Sequence, residues 1–385
     1  MALPTVSRGE VMPDEIPEFY NFSCPPSSGD PNPDPQTPTF TFTRDLLVGI
    51  DLLLPDGGRV PMWIIEDPDD PVNGRTFPSP TIRIPKDAIV NADVNCQGGT
   101  HTIHWHGIEP TPMNDGVGHT SFEVTGHFNY QFQPRFAGTY FYHCHKNTVL
   151  HFEMGLYGLL LVDPPDPASP AVPVTYPVGG PGFAAAYNPL ALSLTDHVVH
   201  YDAEAFWVAD SIDSRWHSLG HDAFMQKCVP DDPVNPANFS QDGILNDFRP
   251  DIFCLTGIPR RKNDPTSFTA ADNALFGPLV APTVGVGKTL LIRVTNADYI
   301  IQQFTLGIDA DVIAMDGRAL GVPPYMQYSH PFRLPAGTPF RLTSAMRWDL
   351  IVKPTAAGVI PATVEFFNQI TGQKLYMART TITVV

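Results

Sequence analysis

The sequence is poor in charge: Asp, Glu, Lys and Arg make up 16% of its 385 residues. Positive charge is the scarcer sign, 23 Lys and Arg against 40 Asp and Glu, and the formal net charge is −17. So acidic a chain excludes nucleic acid or an anionic membrane surface as the expected partner, since both select Lys/Arg patches. Long hydrophobic runs are also missing. Nothing approaches the roughly 20 apolar residues that cross a bilayer; Leu46–Leu54 is broken by Asp51, and Leu156–Val162 is strand-length. The opening MALPTVSRGEVMPDEIP has no basic region followed by an apolar core, so it is not read as a signal peptide. Either the protein stays inside the cell or a signal was removed before residue 1. Long helices are excluded too, because 42 prolines and 30 glycines interrupt the chain too often.

What is present is a globular balance, with 43% apolar residues and length enough for two or three domains. From Thr39 onward, short alternating runs (TFTFT, MWIIE, PTIRIP, HFNYQFQ, TYFYH, LYGLLLV) recur between Gly/Pro turns. That spacing predicts an all-β protein of sandwich or barrel type. Residues 1–37 read as an irregular Pro-rich lead-in, 38–163 as a first β domain, 164–189 as a Pro/Gly-rich linker, and 190–385 as a second β domain. Within the last, about 203–280 looks less regular and is expected to be an insertion pinned by a disulfide. Five cysteines are an odd number. Cys24, Cys96, Cys228 and Cys254 are expected to form two disulfides in an exported, oxidising setting, with buried reduced thiols as the alternative. Cys144 is left for other work.

The halves show a short internal likeness. NAD at 91–93 leads into IHWHGIE at 103–109, and NAD at 296–298 leads into QFTLGID at 303–309. In that register His104 falls opposite Phe304 and His106 opposite Leu306, so duplication with loss of histidines from the second copy is expected.

Eight of the 13 histidines lie between 101 and 151. Six of them fall in two patterns, His101-Thr-Ile-His104-Trp-His106-Gly and His143-Cys144-His145, the latter followed by His151 and Met154. On strands, where successive side chains alternate in face, His104 and His106 point one way and His101 the other; His143 and His145 share a face that Cys144 avoids. Pairing the strands sorts the ligands into two groups. His101, Cys144, His151 and Met154 make two imidazoles, a thiolate and a weak thioether, the donor set of a blue-copper electron-transfer site. His104, His106, His143 and His145 offer four imidazoles, suited to copper or zinc. A structural zinc site gives no reason for the Met or for the split across two faces. His119, His127, His197, His200 and His330 are read as structural. The i, i+4 pair His217 and His221 is a minor metal candidate.

HxxHWHG and GTYFYHCHxNTxxHxxMGxYGxLxV together resemble the copper-binding segments of the multicopper oxidases. TFPSPTI at 76–82, the Asp115–Gly116 pair, DIFCLTGIP at 251–259, RVTNADY at 293–299, PAGTPFRL and RWDLIV at 347–352 are similar to weaker family signatures. The resemblance covers most of the chain from about 39 and implies two cupredoxin-like Greek-key β-sandwiches. It implies type 1 copper at His101, Cys144, His151 and Met154, and half of a type 2/type 3 cluster at His104, His106, His143 and His145. The second half, another set of paired histidines, is not found in this chain, and the Cys144–His151 spacing is two residues longer than in laccase-like segments.

Three functions follow as expectations. The first is a copper oxidoreductase taking single electrons from a small reductant or redox protein and reducing O2 or another small acceptor. Its missing ligands would come from a second copy, a trimer being favoured, or from a partner chain. Within that class lies a nitrite-reductase-like arrangement with an intersubunit type 2 copper. Asp115 is its candidate proton donor, because oxygen reduction consumes protons. The second is a type 1 copper carrier with a vestigial or structural second site, and the third is copper storage. A periplasmic or extracellular location is expected.

Overall fold

The computed structural model describes residues 37–108, 110–118, 123–163, 175–177, 198–221, 248–276, 280–320 and 331–385. The first sandwich is built from β1 (Phe40–Leu53), β2 (Arg59–Glu66), β3 (Ser79–Pro85), β4 (Val90–His101), β5 (His104–His106), β6 (Val124–Phe132), β7 (Gly138–His143) and β8 (Tyr157–Asp163). A single turn, α1 (Pro112–Asp115), and a short helix, α2 (Thr148–Glu153), interrupt the strands. One sheet has the order β2-β1-β4-β6 and the other β3-β8-β7-β5, with β1/β4 and β3/β8 parallel. Alternation decides which side chains fill the space between them. Trp105, Tyr140, Tyr142, Cys144, Leu160 and Val162 enter the core, while Phe141, Tyr157, Leu159 and Leu161 emerge on the other face of the second sheet.

The second sandwich repeats the plan. Its larger sheet runs Ile252–Leu255, Ala203–Ile212, Leu290–Asn296, Arg347–Val352 in the positions of β2, β1, β4 and β6, with a parallel Ala203–Ile212/Leu290–Asn296 pair like β1/β4. The facing sheet contains Ile301–Leu306, Gly358–Phe367 and Lys374–Val384. Strand Ile301–Leu306 follows Leu290–Asn296 as β5 follows β4. The face expected from the sequence register is reversed, however. Phe304 and Leu306 point into the second core, whereas His104 and His106 flank the core residue Trp105, so Gln303 and Thr305 are the like-facing residues.

Two further expectations are corrected. Within 203–280, residues 203–212, 252–255 and 258–261 are strands of the large sheet rather than an insertion. The run AEAFWVADSI hides its period because both faces are covered: Ala205, Trp207 and Ala209 face the second core, and Phe206, Val208 and Ile212 face the first sandwich. Cys96 and Cys254 are free, buried thiols, so neither joins a disulfide; Cys254 sits mid-strand in an apolar contact layer. Cys24 and Cys228 lie outside the described residues, as do lead-in residues 1–36 and most of the linker.

That apolar layer joins the sandwiches. It packs Met62, Ile64, Phe77, Phe141, Phe152, Tyr157, Leu159 and Leu161 against Val208, Ile212, Ile252, Cys254 and Ala297. A buried polar chain closes its edge. Arg83 forks onto Asp163 and reaches Glu204 at 2.8 Å; Arg293 also donates to Glu204, at 2.6 Å, and to Thr139 Oγ1 at 2.8 Å; Thr139 donates to Asp349 at 2.6 Å. Each buried charge has an opposite charge and hydrogen bonds, the condition under which burial is tolerated.

Candidate metal centres

Cys144 follows the last residue of β7 and, one step out of phase with His143, points inward. His101, the last residue of β4 on the facing sheet, and His151 on α2 converge on it. The sulfur lies 3.2 Å from His151 Nδ1 and 3.7 Å from His101 Nδ1, and one ligand atom from each of the three residues falls within 4.8 Å of the others. All three side chains are buried. Burial pushes the Cys144 thiol up to about 11 and, with the neighbouring His101, pulls His151 down to about 3. The imidazole therefore stays neutral with a lone pair to give, while the thiol keeps its proton unless a cation takes the proton's place. Two nitrogens and one soft sulfur, with no carboxylate, fit copper.

Met154 falls in a different apolar cluster from Cys144. It caps α2, its carbonyl accepts from Trp63 N at 2.7 Å, and its side chain packs with Leu150, Trp63 and Leu219. Leu156, in contrast, is among the residues of the core cluster that contains Cys144, and its carbonyl accepts the Cys144 N–H at 3.0 Å.

The second group lies on the outward face of the same strands. β5 and β7 pair with His104 opposite His143 and His106 opposite Phe141. One ligand atom each of His104, His106 and His143 falls within 4.8 Å of the others. His145 lies at the margin of this trio: its ring is 5.3 Å from that of His104 and stacks on His143 at 5.5 Å, and its backbone N donates to Thr102 Oγ1 at 3.0 Å.

Hydrogen bonds set the tautomers. His104 Nδ1 is 2.8 Å from the Asp115 carbonyl and His143 Nδ1 is 3.0 Å from the Cys144 carbonyl. A carbonyl only accepts, so both Nδ1 atoms carry the proton and both Nε2 atoms present lone pairs. His106 Nδ1 faces His143 Nε2 at 3.4 Å. Burial, then the Arg347 charge, holds His106 down to about 3, and burial holds His143 well below the usual imidazole range. Neutral imidazoles clustered this way are ready metal ligands. Asp115 Oδ1 is also 3.2 Å from His104 Nδ1, and its carboxylate is partly exposed, so it touches both the histidine group and solvent.

Three neighbours were not foreseen. Trp63 stands edge-on to His151 with ring centroids 5.8 Å apart. Arg347 reaches from the second sandwich to Gly107, where a β-carbon would lie 2.9 Å from Nη2. Glu153, between His151 and Met154, is buried and bonded to the second sandwich. None has a residue-level signal, because each acts through a neighbour distant in sequence. His217 and His221 join no metal-type cluster among the described residues; His217 Nδ1 donates to Pro61 O at 2.7 Å, and His221 packs on Trp63 at 4.5 Å. His127 pairs with Asp93 at the surface, and His119, His197 and His330 lie outside the described residues.

Comparison with known proteins agrees with this geometry. Residues 71–167 match the multicopper oxidase family model. An L-ascorbate oxidase from Cucumis sativus is 40% identical over 102 residues, covering 25% of this chain and 17% of the relative, so the match takes in about a sixth of that protein's length. Among solved structures, a blue copper oxidase from Nitrosomonas europaea superposes with a TM-score of 0.58 at 18% identity, covering 90% of this chain and 86% of the other. A copper nitrite reductase from the same organism gives 0.54 at 14% identity, covering 90% and 94%. At such identities the likeness concerns the fold, which is cupredoxin-like in both sandwiches. Residues 71–167 thus match a domain of the multicopper oxidases, a family whose members bind copper.

Proposed function

We propose that the protein is a copper-dependent oxidoreductase of the multicopper oxidase type, working in the periplasm or outside the cell. His101, Cys144 and His151 are the ligands of a type 1 site, with Leu156 in the apolar cluster that holds the Cys144 side chain. His104, His106, His143 and His145 contribute one half of the site where O2 or another small acceptor is reduced. Copper, when bound, supplies one-electron chemistry at the first group and acceptor reduction at the second. The observation that carries the reading is that Cys144 belongs to one buried donor group while His143, bonded to it through a single peptide unit, belongs to the other. An electron arriving at the sulfur has a short covalent path to the second group. Asp115 fixes the His104 tautomer and delivers protons from water. The remaining ligands come from a second copy, in a closed trimer, or from a partner chain.

The test is oxygen uptake by copper-loaded protein supplied with a small one-electron donor. Uptake that disappears in both Cys144→Ser and His143→Ala supports the proposal. Reduction of the protein by the donor without oxygen uptake leaves only an electron carrier.

A further inference from the structure

Among the described residues the second sandwich supplies no ligand to either donor group, yet it grips the helix that carries His151. Tyr299 OH donates to the carbonyl of Val149, in the first turn of α2. At the other end, Glu153 is 4% exposed, and its Oε1 accepts the backbone N–H of Asp213 at 2.8 Å. His217 only packs beside the same oxygen, its Nε2 at 3.4 Å and without a hydrogen bond. His217 is tied at Nδ1 to Pro61 O, so its ring is fixed against the strand that also holds Met154 through Trp63 N. The groups gripping Glu153 are themselves anchored. Asp213 caps the short helix Ser214–Leu219, accepting from Arg215 N at 3.1 Å, and its second oxygen accepts Arg249 N at 2.9 Å. Just beyond α2, Tyr157 OH donates to the buried Asp210 at 2.5 Å. A six-residue helix has little stability of its own, so its position is set by these contacts.

We propose that Glu153 is a positioning residue through which the second sandwich, with Asp213 and Tyr299, clamps α2 and fixes His151 against Cys144. The inference rests on the His101–Cys144–His151 site proposed above and extends it. The second sandwich then has a defined role, holding the helix-borne third of the metal site at the geometry set by the two strand-borne ligands. Partners that orient a ligand typically account for 10- to 100-fold in metal affinity.

The experiment compares wild type, Glu153→Ala, Glu153→Gln and Tyr299→Phe, each loaded with cupric ion. The readouts are the thiolate-to-copper absorption band, the reduction potential and copper retained on dialysis. Expected are a shifted, weaker band, a changed potential and about tenfold weaker retention in Glu153→Ala, recovery towards wild type in Glu153→Gln, whose amide oxygen still accepts from Asp213, and a smaller change of the same kind in Tyr299→Phe. A wild-type band unchanged in both Glu153→Ala and Tyr299→Phe overturns the clamp alone. Should Glu153→Ala not fold, Tyr299→Phe, which loses one hydroxyl, decides the question. Absence of the band from wild type overturns the ligand assignment and the clamp with it.

Discussion

Gly116 lies so close to the backbone of Ile103 that a β-carbon on it would stand 1.8 Å from the Ile103 carbonyl oxygen. The glycine also has φ of +70°, in the left-handed region that L side chains avoid. This contact closes the turn after α1 onto the start of the His104–His106 strand and delivers both the carbonyl and the carboxylate of Asp115 to His104 Nδ1. Gly116→Ala is expected to cost more than the roughly 1–3 kcal/mol of left-handed strain alone, because the obstacle is backbone. Chemical denaturation measures the loss, and copper bound at the histidine group should fall with it.

Asp115→Asn separates two roles. The carbonyl that fixes the His104 tautomer is untouched, while the ionisable oxygen is lost. Copper content is expected to match wild type and acceptor reduction to fall by about 10²-fold, the scale of a lost proton donor. Steady-state oxygen uptake beside metal analysis checks both halves of that statement.

Met154→Leu tests which side chain stands next to the sulfur. Met154 packs with Leu150, Trp63 and Leu219, so this volume-conserving change is expected to cost less than about 1.5 kcal/mol and to leave the cupric spectrum in place. Leu156→Met, which places a thioether in the cluster of Cys144, should shift that spectrum. Absorption spectra of the two variants provide the comparison.

The stabilising contribution of one buried acidic pair should fall as pH rises. Asp298 is buried beside Glu153 and its carboxyl is pushed up to about 8, chiefly by burial; Asp210, close by, is raised for the same reason and by Asp298 itself. A group that holds its proton more tightly when folded stabilises fully below its unfolded pKa, near 4, and that stabilisation drains away as pH climbs through its folded value. The buried histidines, held low, work in the opposite direction below about pH 6.5, so the acidic contribution is read as a difference: the denaturation midpoint of wild type relative to Asp298→Asn is expected to decline from about pH 4 to about pH 8.

The chemistry-bearing segments were legible because ligand type and strand period coincide there. His104 and His106 flank Trp105, and His143 and Cys144 part to opposite faces, as alternation requires. Other features were hidden for physical reasons. Ala203–Ile212 lacks a visible period because the first sandwich covers its second face. Met154 and Leu156 are two residues apart at the exit of a short helix, where neither helical nor strand periodicity says which meets Cys144. The free thiols of Cys96 and Cys254 follow from burial inside separate apolar clusters, and a count of cysteines carries no such information. The Glu153 contacts span about 60 residues of chain and have no local trace.

The central claim is that the Cys144 sulfur and two imidazoles hold copper, with a second copper-binding group on the opposite face. Its most direct test is copper per chain, measured together with the visible spectrum, in wild type and Cys144→Ser after cupric loading. The account predicts more than one copper per wild-type chain and an intense thiolate-to-copper band, with Cys144→Ser losing the band and one copper but keeping the rest. A wild-type protein that binds no copper, or binds it equally well without the Cys144 sulfur, would contradict it.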